Sequence, residues 1–221
     1  TYIYTLSLHD ALPISCRSRF AAVVPRCLRC AQRLLPGATP STPCANCLRH
    51  PLPLLACWAV VDYAYPWHTV VAHFKFHQQP AWARLLAELA LEQPNIAGAL
   101  HNADAVLPVP LTPARLAERG YNQAWEWAKA LKPRQLLPQG LLRLDDGLHQ
   151  TGQGRQARQQ HMRNAFVVSP AHLQDVAGRH LLVVDDVMTT GATLEAAAAA
   201  LLRAGAASVS GLCFARTPID D

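Results

Sequence analysis

The chain has 221 residues, 51% of them hydrophobic and only 16% charged, which excludes a disordered chain and suits one α/β domain with a small appendage. A formal charge of +5 and a pI ≈ 9.0 suit an anionic ligand such as a phosphate ester, and no Lys/Arg tail marks nucleic-acid binding as the primary role. No apolar stretch reaches the ~20 residues of a membrane span; the longest, around Ala196–Leu202, is alanine-rich and ends at Arg203.

In chain order, residues 1–16 read as a non-native or disordered leader. Thr1–Ser15 resembles translated sequencing-adapter read-through, lacks the basic start of a signal peptide, and carries His9 and Asp10. A cytoplasmic chain is expected, and there seven cysteines point to metal before disulfides. Residues 17–55 are rich in Cys, Pro and Arg without sustained periodicity, the texture of a unit held by something other than a core. Its cysteines fall as Cys27-x-x-Cys30 and Cys44-x-x-Cys47, with thirteen residues between the pairs. Four thiolates complete the tetrahedral shell of Zn²⁺ with no open position, so a structural zinc is expected. Disulfides are disfavoured by the compartment, and a redox dithiol by the absence of a surrounding βαβ unit. Cys16, Cys57 and Cys213 lack paired spacing and read as small buried residues.

Residues 56–221 form the second expected unit. Trp58–Tyr65 reads as a strand, Trp67–Phe76 and Trp82–Leu91 as helices, and Ala105–Val109 as a buried strand closed by Pro110. Pro113–Leu131 reads as one helix, with Pro at its start and Pro133 after its end. Leu141–Leu144 and Ala165–Val168 are short strand candidates, separated by a polar loop, Asp146–Arg163, long enough to suggest function. His180–Val184 is a continuous apolar strand, Thr193–Ala204 a helix, and Ser208–Phe214 the last strand. Strands alternating with helices predict a mostly parallel sheet covered on both faces.

Leu181–Ala197, LLVVDDVMTTGATLEAA, is the most informative stretch. In an open α/β sheet ligands bind at the carboxyl ends of the strands. Asp185 and Asp186 stand there as acceptors for ribose hydroxyls. Thr189, Thr190, Gly191, Ala192 and Thr193 lead into a helix N-terminus whose amides and dipole suit a phosphate. A plain helix cap would account for one Asp or one Thr, not for two acids and three threonines within nine residues. No GK[ST] follows the glycine and no G-x-G-x-x-G is present, so the Walker A and dinucleotide loops do not fit.

Two further segments stand out: VLPVPLTPARLAERGYNQAWEWA, Val106 to Ala128, and QTGQGRQARQQHMRNAF, Gln150 to Phe166. Their arginines suit phosphate or pyrophosphate oxygens, and the second could act as a hood over a substrate. With the CxxC pairs and VVDDVMTTGAT, these blocks resemble the ComF/GntX family of competence-associated, type I phosphoribosyltransferase-like proteins. Lys75 in HFKF matches a family position, while the N-terminus and the Gln/His-rich stretch Gln156–His161 depart from the pattern. The resemblance implies a type I phosphoribosyltransferase fold behind a small four-cysteine zinc ribbon or knuckle, and phosphoribosyl pyrophosphate (PRPP) with Mg²⁺ as ligand. It assigns Asp185 and Asp186 to the ribose and Thr189–Thr193 to the 5′-phosphate. Pro110, Leu111 and Thr112 become the pyrophosphate loop, Arg119 or Arg163 meets pyrophosphate charge, and Lys75 is a second contact. Catalytic candidates are thus Asp185, Asp186, Arg119 and Lys75. The competing implication is a non-enzymatic module that senses a nucleotide and handles single-stranded DNA or a helicase partner through Arg26, Arg29, Arg33 and Arg49. No acceptor signature is present in the sequence.

Overall fold

A computed structural model describes residues 14–35, 37–38, 43–76, 79–144 and 165–218. In chain order the elements are α1 (Ile14–Phe20), α2 (Ala45–Arg49), β1 (Cys57–Asp62), α3 (Trp67–Phe76), α4 (Trp82–Leu91), α5 (Pro94–Asn102), β2 (Ala105–Pro108), α6 (Pro113–Arg119) and α7 (Gln123–Ala130). There follow β3 (Leu141–Arg143), β4 (Phe166–Val168), a 3₁₀ turn (Pro170–His172), α8 (Leu173–Val176), β5 (His180–Met188), α9 (Ala192–Arg203) and β6 (Ser208–Arg216).

Four strands form one sheet in the order β1-β6-β5-β2, and every neighbouring pair is parallel. All four carboxyl ends therefore open on a single edge, which is where the acids lie. Leu181–Val184 is buried throughout, as a strand covered on both faces must be. Successive side chains alternate: Leu181, Val183, Val209, Cys213 and Leu107 pack with α9, whereas Leu182, Val184, Phe214 and Val106 pack with α3, α4 and α7. Trp127 fills the centre of the second face, edge-on to Phe214 at 5.9 Å. The alanine run of α9 has a packing reason. Ala196, Ala197, Ala198 and Ala200 are buried, and small side chains let the helix lie close to the sheet. Opposite them a Cβ on Gly211 would come within 3.1 Å of Leu194 and 3.3 Å of the Cys57 sulfur.

Three expectations are revised and one unassigned element is added. The helix expected over Pro113–Leu131 is two helices, because Gly120 adopts φ 77 and Asn122 restarts the chain by accepting the Trp125 amide at 3.3 Å. Pro94–Asn102 is a helix that starts with Pro in its first turn, a signal that the alternation of strands masks. β3 and β4 pair with each other, antiparallel, in a separate two-stranded sheet packed on the α9 face. The strand expected to stop at Val184 runs on to Met188, since its ladder with β6 continues through Asp185↔Cys213 to Met188↔Arg216.

The cysteine-rich segment packs on the sheet-bearing part of the chain. Cys27, Cys30, Ala31 and Cys47 belong to the same apolar cluster as Leu54, Cys57, Met188 and Leu194. Among the described residues no helix is long and apolar enough to cross a membrane.

Candidate functional site

Because β5 extends to Met188, Asp185 and Asp186 are consecutive strand residues and point to opposite faces. Asp186 turns toward α3, where it is 7% exposed and pairs with Lys75 Nζ at 2.9 Å. Asp185 turns the other way, its Oδ1 accepting the Asp186 amide at 2.8 Å. Burial and the neighbouring Asp186 charge push the Asp185 carboxyl up to about 7, against the pull of Lys75, of the Asp186 amide and of Arg143 on β3. The edge thus holds two carboxylates and one ammonium in a confined space, and any ligand that brings donors to Asp185 would relieve its burial penalty.

Past Met188 the chain turns through Thr189 and Thr190, both exposed, to Gly191 at φ 92, and α9 begins at Ala192. The left-handed backbone favours glycine at this corner, and a Cβ there would also meet Met188 Cε at 2.6 Å, so that side-chain end would have to move. Thr190 Oγ1 accepts the Ala192 amide at 3.4 Å, and Thr193 lies partly buried in the first turn. The loop after β2 leaves the same edge. Val109 donates its amide to Val184 O at 2.9 Å, Pro110 and Leu111 follow partly buried, and Thr112 caps α6 by accepting the Arg115 amide.

The Arg119–Gln123 block sits between these pieces. Tyr121 donates its hydroxyl proton to Phe74 O, Gln123 Nε2 donates to Lys75 O at 3.5 Å, and Asn122 Nδ2 donates to Val109 O at 2.9 Å. Tyr121 and Gln123 therefore tie the last turn of α3, which carries Lys75, and Asn122 ties the strand exit before Pro110. Arg119 lies across Phe76, 5.3 Å from its ring centroid, and donates to Gln123 Oε1 at 2.9 Å. Its Nε is buried without a hydrogen-bond partner among the described residues. The structure thus brings Asp185, Asp186, Lys75, Pro110–Thr112 and Thr189–Thr193 to one edge and attaches Arg119 to it through Gln123. Arg163, with the expected hood, lies outside the described residues. Two charged residues escape a reading of the sequence: Arg143, stacked 5.3 Å from the Phe166 ring centroid, and Arg216 at the end of β6.

The four module cysteines converge. Their sulfurs all lie within 4.8 Å of one another, and Cys30 and Cys44 are 3.6 Å apart. A tetrahedral Zn–S bond of about 2.3 Å requires sulfurs about 3.8 Å apart, so the donor set fits a metal ion and is consistent with a structural zinc. The electrostatics agree. Burial raises Cys27, but amides of Cys44, Arg29 and Cys30 aimed at its sulfur more than reverse this and bring it to about 7. Burial takes Cys30 up to about 11, and burial with neighbouring thiols takes Cys47 further still. Cys30 and Cys47 therefore keep their protons unless a cation replaces them. Cys57 and Cys213 are buried free thiols, as expected. Of the module's arginines, Arg26 and Arg33 pair with Asp62 at 2.7 and 3.3 Å, and Arg29 donates to Leu54 O at 2.6 Å.

A parallel sheet with helices on both faces and an acid–Thr–Gly loop at its carboxyl edge defines the type I phosphoribosyltransferase class. The family model described as "Phosphoribosyl transferase domain" matches residues 145–220. Among curated proteins, "DNA utilization protein YhgH" of Salmonella typhimurium is 33% identical over 213 residues, 89% of this chain and 87% of that protein. Its Escherichia coli K12 counterpart is 31% identical over 85% of this chain and 84% of its own. "Competence protein ComFC" of Bacillus subtilis is 33% identical over 51% of this chain and 44% of its own. The chain belongs to the ComF/GntX family. Among solved structures, a glutamine PRPP amidotransferase from B. subtilis overlaps 63% of this chain and 26% of that chain at 20% identity and a TM-score of 0.39.

Proposed function

We propose that this protein binds PRPP, or a related ribose 5-phosphate ligand, at the carboxyl edge of β5 and β2, in the service of DNA utilisation or competence like the relatives whose names carry those words. The single observation that carries the reading is the meeting of Asp185 and the Lys75–Asp186 pair with the Gly191 turn at one sheet edge. In this reading Asp185 and Asp186 hold the ribose hydroxyls. Amides of Thr189–Thr193 hold the 5′-phosphate, Pro110–Thr112 border the pyrophosphate of the magnesium salt, and Arg119 and Arg163 meet its charge. Lys75 offsets the Asp186 charge before ligand arrives and supplies a cation beside the ligand afterwards. Transfer chemistry would be displacement at the anomeric carbon, with the protein contributing position and charge. A zinc ion on Cys27, Cys30, Cys44 and Cys47 has a structural role, because four thiolates leave no open coordination position.

The DNA-handling alternative rests on four module arginines, of which Arg26, Arg29 and Arg33 already have partners inside the chain. That favours the sugar-phosphate reading. Calorimetry with PRPP and Mg²⁺ tests it: the wild-type chain binds, and Asp185→Ala and Asp186→Ala each abolish the heat. Undiminished binding by either variant refutes the corresponding assignment. Pyrophosphate release with added amines separates transfer from sensing.

A further inference from the structure

Arg216 is the last residue of β6 and only 2% exposed. A guanidinium that deep normally faces a carboxylate, because burying an unpaired charge is costly. Here its hydrogen bonds among the described residues go to backbone carbonyls. Nε donates to Cys30 O at 2.9 Å, and Nη1 is shared among Met188 O at 3.1 Å, Thr217 O at 2.8 Å and Thr189 O. One side chain therefore joins the cysteine knuckle to the turn that leaves β5.

The consequence for that turn follows from peptide geometry. In a trans peptide the C=O and the N–H point in opposite directions. Pulling the carbonyls of Met188 and Thr189 toward the buried guanidinium turns the amides of Thr189 and Thr190 the other way, away from the core. Thr217 adds to the hold by donating its amide to Met188 O at 3.0 Å. The cysteine side supports the turn at a second point. Leu52, five residues after Cys47, packs on the partly buried side of the corner, its methyls 3.6 and 3.9 Å from where a Gly191 Cβ would stand. Cys57 Sγ meets Met188 Sδ at 3.6 Å.

We infer that Arg216 is a positioning residue for the phosphate turn. It fixes the Met188–Thr189 and Thr189–Thr190 peptide planes with their amides outward, and it is itself fixed by the Cys30 carbonyl, so the metal-binding module sets the shape of the anion site. The inference rests on the proposed function for its ligand but not for its conformational content.

The test compares the full chain with Arg216→Met, which keeps the volume and removes the donors, and Arg216→Lys, which keeps a charged donor. Amide hydrogen exchange is read without ligand at Thr217, Glu195 and Ala192, which donate to Met188 O, Gly191 O and Thr190 Oγ1, and PRPP affinity by calorimetry, each with the metal present and after chelation. Expected are at least tenfold faster exchange and at least tenfold weaker PRPP binding in Arg216→Met, partial recovery in Arg216→Lys, and a similar loss in the chelated wild type. Chelation costs Arg216→Met less than it costs the wild type, because only the Leu52 contact then remains to be lost. A folded Arg216→Met with wild-type exchange and affinity overturns the inference. Should that variant not fold, wild-type exchange at these three amides that ignores chelation overturns it equally. A wild type that binds no PRPP defeats the proposed function alone, and the exchange measurement still decides the role of Arg216.

Discussion

Between Arg26 and Arg33 the chain buries two cysteines and one alanine; between Leu181 and Val184 it buries four consecutive apolar side chains in a sheet covered on both faces. The first segment has too little apolar surface to hold its shape, and what it buries is chiefly sulfur. The second needs no help. Yet both contribute to one apolar cluster and flank the same turn. The contrast teaches that a segment poor in apolar side chains can still share a core with the body, its four cysteines packing beside Met188 and Leu194 at the turn that leaves β5.

The comparison breaks first at the metal. Cys47→Ser removes one of four thiolates. Structural zinc is worth roughly 10–16 kcal/mol in apparent binding free energy at neutral pH. Bound zinc, counted by mass spectrometry of the intact chain, should fall from one ion to near none. Protease should then cut within 21–55 while the strands of the body stay protected. Protection of 21–55 without metal would mean that the module holds itself.

The reciprocal experiment is Trp127→Ala. Trp127 is fully buried against Phe214 on the face away from the cysteines. Its loss should cost about 3–5 kcal/mol in urea unfolding with zinc content unchanged. Zinc lost in step would show that the two regions do not separate as drawn.

The smallest effect sharpens the electrostatics of the edge. The Asp185 carboxyl is raised to about 7 in the fold from 3.8, so the folded state holds a proton that the unfolded chain releases. The stability tied to it is complete below about pH 4 and is lost as pH climbs through about 7. Asp185→Asn keeps the oxygen that accepts the Asp186 amide and abolishes the titration. Its unfolding free energy from urea titration should equal the wild type's near pH 4 and exceed it at pH 8.5, by roughly 1–3 kcal/mol after solvent screening. A variant that is less stable at pH 8.5 would show that Lys75 and Arg143 outweigh burial.

Part of this is legible in residue order. Lys75 is singled out only through the family resemblance, as a ligand contact, and in the fold it pairs with Asp186. The block Arg119–Gln123 stands out too, but as ligand contacts. Folded, Tyr121, Asn122 and Gln123 act largely on the protein's own backbone, because their partners Phe74, Lys75 and Val109 lie elsewhere in the chain. Gly120 is the signal that splits the helix expected over Pro113–Leu131, since a left-handed glycine followed closely by Asn is both a stop and a start.

What the sequence determined alone was local: the two CxxC pairs able to share one metal, the apolar run Leu181–Val184, and the acids, threonines and glycine that follow it. Each depends on spacing within a few residues, which chain geometry converts directly into structure. The tertiary structure alone decided that Asp185 and Asp186 part to opposite faces, because the ladder with β6 carries the strand past them. It alone decided that Arg216 reaches Cys30, 186 positions away. No periodicity encodes a contact of that span; it exists only once β6 is paired in the sheet and the knuckle is packed at that strand's end.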